Sequence, residues 1–272
     1  MSGLVVSGLI VVASSGAANT ANPPPRRTGA PAPGFTVACG FSHTAAVDPI
    51  VMPGMAGMSH RHEFFGNTTT DEDSSGASLL AGASTCIDRR DRSAYWIPSL
   101  LVDGERLAPR TAVVTYARGG PGKVTAFPVG FMAVSGRSDQ TAGWACVSPG
   151  TRPRFTAHVS EIATCTGGSH LMAQIRFGQC WDGTSLDSSD HKSHLVFGTH
   201  ETRAAGRPGR LVCPGDHPVR VAQLKLDVHY PAGIASDSNV TLSSGDVSTL
   251  HGDIFEAWTG TSLQERLDGH RA

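Results

Sequence analysis

The sequence predicts a mainly β fold: a single-domain β-sandwich or jelly-roll-like fold with long loops and a short C-terminal helix, stapled by disulfides. Three observations carry that expectation. Apolar residues recur in short runs, several with a period of two, which places them on one face of a strand. Gly (32) and Pro (17) are abundant while charged residues make up only 17% of the chain, a balance that suits short strands and turns better than long surface helices. Six cysteines, an even number with no CxxC pair, point to a disulfide framework rather than to zinc or thiol redox chemistry.

In chain order, residues 1–18 read as a signal peptide. The apolar stretch Leu4–Ala13 precedes small residues, and Gly16-Ala17-Ala18 has the small-x-small form of a cleavage site, although no basic segment precedes it. Residues 19–34 (NTANPPPRRTGAPAPG) form a Pro/Ala-rich linker, and residues 35–272 the single β-rich domain. No other run approaches the ~20 apolar residues of a membrane span, so the expectation is an exported, extracellular protein.

Strand signals follow at residues 93–102, with Asp103-Gly104 as a hairpin turn leading to Arg110–Ala117. Val124–Val134 is β-like, with a bend at Pro128 and Gly130. His170–Phe177, Ser193–Phe197 and Val219–Tyr230 continue the pattern; in the last, Leu224, Leu226, Val228 and Tyr230 share the apolar face. Helical spacing is best matched over Gly252–Leu267, interrupted at Gly260. Residues 200–210 read as a polar loop. Pairing the cysteines in sequential order, Cys39–Cys86, Cys146–Cys165 and Cys180–Cys213, is the simplest of 15 connectivities. Each bridge would contribute about 3–4 kcal/mol by restricting the unfolded chain.

A net charge of −1 supplies no field for nucleic acid or an anionic membrane, so neither is an expected partner. A monomer is expected. The chain has no GxSxG elbow, P-loop, GxGxxG or HExxH motif, which leaves no sign of a nucleotide or organic cofactor.

The 12 histidines are more telling. His60 and His62, two apart, would project from one face of a strand and could converge on a metal ion. Asp187, Asp190, His191 and His194 cluster after Trp181-Asp182-Gly183; His217 precedes Pro218, and His251 is two residues before Asp253. Each has a plainer reading: Asp190 as a turn cap, His217 as a structural ring, Trp96, Trp181 and Trp258 as core. Taken together, turn-borne imidazoles and carboxylates predict a common polar site.

The strings DPIVMPGMAGMSHRHEFFGNTTT (from Asp48), DRSAYWIPSL (from Asp91), CWDGTSLDSSDHKSHLVF (from Cys180), CPGDHPVRVAQLKLDVHY (from Cys213) and LSSGDVSTLHGDIFEAW (from Leu242) resemble a secreted family, the domain of unknown function numbered nineteen ninety-six. The family occurs in fungal and actinobacterial extracellular proteins, sometimes beside WSC carbohydrate-binding modules. The resemblance implies an extracellular location and a link to polysaccharide, and supplies no reaction. Its motifs fall on Asp48, His60, His62, Arg92, Trp96, Trp181, Asp182, Asp187, Asp190, His191, His194, His217, His251 and Asp253. Glu63 stands where an aspartate is expected, and the late cysteine of many members is missing.

The resulting expectation is a secreted protein with a His/Asp-rich cleft that hydrolyses a polysaccharide or cell-wall glycan. In a metal-assisted mechanism, His60, His62 and His194 or His251 hold a divalent ion, with Asp190 or Asp253 as base. In a glycosidase, two of Asp48, Asp187, Asp190 and Asp253 are the working carboxylates. In a lyase, Arg92 neutralises a uronate. Catalytic candidates are thus Asp48, His62, Asp187, Asp190, His191 and Asp253, and Arg92, Trp96, Trp181 and His217 are the substrate-binding candidates. The competing class is a non-catalytic carbohydrate- or metal-binding module.

Overall fold

The computed structural model describes residues 34–120, 122–136, 141–156, 165, 168–202, 208–231, 234 and 238–269. The signal-peptide and linker readings fall almost wholly outside them. Among the described residues seventeen strands follow in chain order: β1 (Gly34–Ala45), β2 (His62–Gly66), β3 (Ala94–Pro98), β4 (Leu100–Val102), β5 (Glu105–Leu107), β6 (Thr111–Ala117), β7 (Met132–Gly136), β8 (Ala142–Val147) and β9 (His170–Arg176). Then come β10 (Cys180–Trp181), β11 (Leu195–Val196), β12 (Thr199–Thr202), β13 (Pro208–Val212), β14 (Val219–Arg220), β15 (Gln223–His229), β16 (Val240–Leu242) and β17 (His251–Phe255). Two six-residue α-helices, α1 (Gly76–Ala81) and α2 (Ser262–Leu267), and a 3-10 turn at Val247–Thr249 are also found among the described residues.

Nine strands make one sheet in the order β7-β17-β3-β2-β1-β6-β15-β9-β8. β1 is long enough to serve both halves. Its first residues pair with β6 (Gly34↔Ala117 to Gly40↔Thr111), and its last with β2 (Phe41↔Phe65 to Ala45↔His62). A register irregularity between Phe41 and His43 marks the change of direction, as a bulge bends a strand and increases its twist. The halves then face each other across the core. Tyr95 of β3 meets Tyr116 of β6, oxygen to oxygen, at 2.7 Å. At the far side, the Ser135 hydroxyl of β7 donates to the Arg176 carbonyl of β9 at 2.6 Å.

The two halves bury themselves differently. β6 and β15 alternate strictly, with Ala112, Val114, Tyr116, Leu224, Leu226 and Val228 inside. That is the pattern of a sheet packed on one face. β2, β3 and β17 are buried at every position. Phe65, Tyr95, Ile97 and Ile254 point into the shared core, while Phe64, Trp96 and Phe255 lie on the outer face beneath Val47, Ile50 and Leu79. The segment after β1 and helix α1 therefore roof this outer face, and the site lies under that roof.

The mainly β class, the short C-terminal helix and the three sequential disulfides stand as read from the sequence. Several boundaries differ. Asp103-Gly104 does form a tight turn, with φ of 53° and 84°, but it joins β4 to β5 rather than to Arg110–Ala117. Only Met132–Val134 of the 124–134 run is strand; Gly130 is left-handed at φ 89° and the chain bends there. Val219–Tyr230 splits into β14 and β15. The 200–210 loop reading gives way to a β12–β13 hairpin flanking residues 203–207. The spacing of Ile254, Phe255 and Trp258 is not helical in fact. His251–Phe255 is strand β17, bonded to β3 and β7, because burial on both faces makes a strand as apolar as a helix stripe.

Candidate functional site

On β2 the period of two puts His62 and Phe64 on the outer face. On β17 it puts His251, Asp253 and Phe255 there. β3 lies between them, with Trp96 opposite both Phe64 and Asp253. His60 enters from the loop before β2. The three imidazoles meet, with ring centroids 4.2 Å apart for His60–His62, 5.1 Å for His60–His251 and 5.8 Å for His62–His251. One ring nitrogen from each lies within 4.8 Å of the others. Three nitrogens on a tetrahedral ion with 2.1 Å bonds stand roughly 3.4 Å apart, so side-chain shifts of under about 1 Å would close the shell.

The tautomers suit a metal. The Nδ1–H of His62 donates to the Val47 carbonyl at 2.9 Å, and that of His251 to the Thr249 carbonyl at 2.8 Å. Such bonds orient the ring and leave Nε2 with the lone pair. The Nε2 atom of His62 is fully buried and has no hydrogen-bond partner among the described residues, a condition that costs roughly 1–3 kcal/mol if nothing satisfies it. Burial, reinforced by the neighbouring His60, holds the pKa of His62 well below the ordinary histidine value. The ring is therefore neutral and able to coordinate. Asp253, fully buried, places a carboxylate oxygen 3.9 Å from His251 Nε2.

A second arm begins one residue from the first. Val47 holds His62, and the next residue, Asp48, interacts electrostatically with His191. Asp48 accepts from the amides of Ile50 and Val51, each at 3.0 Å, while burial raises its pKa. His191 sits in the left-handed region at φ 59°. Its Nδ1 donates to both carboxylate oxygens of Asp187, at 2.9 and 3.0 Å. A carboxylate on Nδ1 fixes the imidazole's orientation and leaves Nε2 as the proton-accepting edge. The His191 carbonyl accepts from Val134 of β7, and Val134 is the register partner of Asp253. The two arms therefore border the same end of the sheet.

Other sequence candidates go elsewhere. His194 does not join the imidazole group. Its Nε2 bonds the Met132 carbonyl at 2.7 Å, its Nδ1 the Ser188 hydroxyl at 2.8 Å, and its ring packs on Phe131 at 5.0 Å. Asp190 is a turn cap, accepting from Ser188 Oγ and the amides of Lys192 and Ser193; those donors, the Ser193 amide foremost, hold its pKa far below the usual carboxylate range. Asp182 caps the amides of Thr184 and Ser185 in the same way. Trp96 is fully buried and offers no face to a sugar; it is the floor beneath His62, 6.5 Å between ring centroids. Trp181 is half-buried, its indole N–H donating to the Ser185 carbonyl at 2.7 Å. Arg92 is spent on the Gly82 carbonyl at the end of α1. His217 bonds the Ser193 carbonyl, and the Asp216 carboxylate beside it raises its pKa.

Two features left no trace in residue spacing. The carbonyls of Val47 and Thr249 that set the tautomers are backbone groups, which any residue supplies. A buried chain also runs from Asp91 through Tyr95 and Tyr116 to Glu256, with links of 2.9, 2.7 and 3.0 Å. Asp91 further lies within 4.8 Å of the Cys39 and Cys86 sulfurs, which are bonded to each other and so present no thiolate to a metal.

No curated protein and no solved structure matches this chain. A family model does match, over residues 48–258, a span that opens at the Asp48 carboxylate and includes His60, His62, Asp187, His191, His251 and Asp253. The chain therefore belongs to the family described as Domain of unknown function (DUF1996).

Proposed function

We propose that His60, His62 and His251 hold a divalent transition metal in an extracellular enzyme that hydrolyses a polysaccharide. The observation that carries the reading is the orphaned, fully buried Nε2 of His62 in a group of three imidazoles. Three imidazole nitrogens are the donor set of open catalytic zinc sites, where a fourth position is left for water or substrate. Asp253 would orient the bound water or take its proton. His191, held by Asp187, would serve the leaving group or the attacking water from the neighbouring arm. The hydroxyls and carboxylates of Ser185, Asp187 and Ser188 border that arm and suit sugar hydroxyls. Three disulfides, with no described helix long and apolar enough to cross a membrane, accord with an oxidising, extracellular setting.

The test begins with elemental mass spectrometry of purified protein before and after exposure to zinc, copper, nickel, cobalt and manganese. About one equivalent of metal is expected in the wild type and none in His62→Ala. Reducing-end release is then assayed on β-glucan, chitin, mannan and pectin, with chelated and reloaded protein as the comparison. Protein that stays folded and retains no metal would end the proposal. Metal retention with glycan binding and no turnover would support instead the non-catalytic module, in which the turn-capping of Asp182 and Asp190 leaves them without a chemical role.

A further inference from the structure

Three of the chain's six methionines, Met52, Met55 and Met58, stand within the seven residues leading to Ser59-His60. They form a backbone repeat. Met55 N–H donates to the Met52 carbonyl and Met58 N–H to the Met55 carbonyl, at 3.2 and 3.3 Å. Gly54 and Gly57, at φ 72° and 71°, complete the two turns in the left-handed conformation that glycine adopts without strain. The Gly54 amide anchors the loop on the Glu72 carbonyl at 2.9 Å.

Packing does not explain these side chains. Met55 is 54% and Met58 68% exposed, and none of the three belongs to either apolar cluster. Residues 51–61 hold no Asp, Glu or Cys, so the thioethers and the His60 imidazole are the loop's metal-binding side chains. Thioether sulfur is a soft donor that selects monovalent copper over zinc, calcium or magnesium. Met58 lies two residues from His60, within about 7 Å along the backbone.

We infer that Met52, Met55 and Met58 form a Cu(I)-binding thioether site on the loop that leads into the imidazole cluster. The thioether site is separate from the imidazole centre proposed above, which takes a divalent ion, and each is tested on its own metal. The full-length protein is titrated anaerobically with Cu(I) against a chromophoric chelator, and separately with Zn(II). In M52L/M55L/M58L, which keeps side-chain volume, Cu(I) affinity should fall at least about tenfold and sulfur scattering at the copper absorption edge should disappear. Zn(II) retention should be unchanged. His62→Ala should show the reverse: Zn(II) lost, copper–sulfur scattering kept. Met58→Leu alone serves if the triple variant does not fold.

Unchanged Cu(I) affinity in the methionine variant overturns the inference, and loss of Zn(II) in His62→Ala then leaves the imidazole centre standing. Copper–sulfur scattering without wild-type Zn(II) retention would do the opposite, removing the centre and sparing the methionine site. Wild-type protein that binds neither ion sinks both.

Discussion

At the scale of single residues, burial decides which titratable groups are available for chemistry. His62 is kept neutral by its surroundings, whereas Asp190 is held ionised by turn amides and is exposed. The Asp187–His191 pair is half-exposed and held by two short bonds. Asp187→Asn should leave metal content unchanged, because its carboxylate is spent on His191. It should lower glycan turnover on the order of 10²-fold, as loss of an oriented acid–base group does; kinetics on metal-loaded protein would check this. The buried acids give a second expectation. Burial raises Asp91 to about 7 and Glu256 to about 8, so both carboxyls carry protons in the folded protein where the unfolded chain has lost them. Their stabilisation is full below the unfolded carboxylate value of about 4 and is lost as pH rises through 7 and 8. The Tm should therefore fall between pH 5 and pH 9. Glu256→Gln, which keeps one acceptor oxygen for Tyr116, should flatten that fall; calorimetry across the range reads it directly.

At the scale of elements, the site depends on β17 being a strand. As a helix, residues 251–255 would send His251 and Asp253 to different faces; as a strand with β3 on one side and β7 on the other, they share one. The closest backbone approach in this arrangement is at Gly136, the β7 partner of His251. Its φ is 111°, and an added Cβ would lie 2.5 Å from the Leu250 carbonyl oxygen and 2.6 Å from the His251 Cα. Gly136→Ala should push β17 away from β7. A loss of roughly 1–3 kcal/mol is expected, together with weaker metal retention, since the displaced His251 is one of the three proposed ligands. Thermal melts and elemental analysis of the same sample test both. An alanine variant with unchanged Tm and metal content would show that β17 does not hold the cluster.

At the scale of the whole molecule, the proposed ligands come from both ends of the described sheet, so a bound metal would act as a staple. His60 and His62 lie near the start of the described sheet and His251 near its end. An ion bound only by the folded state at 100 times its dissociation constant adds about 2.7 kcal/mol, which for a chain of this size raises Tm by roughly 5–10 °C. Chelation should reverse the shift in wild type and have no effect on His62→Ala. The disulfides act on the same balance from the unfolded side. The 47-residue separation of Cys39 and Cys86 corresponds to about 4 kcal/mol on the chain-entropy account.

The sequence by itself determined the strand-rich class, the cysteine framework and the residue types of the site, because composition, turn chemistry and a period of two are local properties. His60-x-His62 and His251-x-Asp253 were legible for that reason. Tertiary structure alone decided which of those residues meet. His194 and His251 look equivalent in the chain, yet the first is consumed by Met132 and Ser188 while the second is carried to His62 by a strand placed two positions away in the sheet. Trp96 reads as a sugar platform until the roof over the outer face buries it. Sheet order, and the burial it imposes, is a long-range property that residue spacing does not encode.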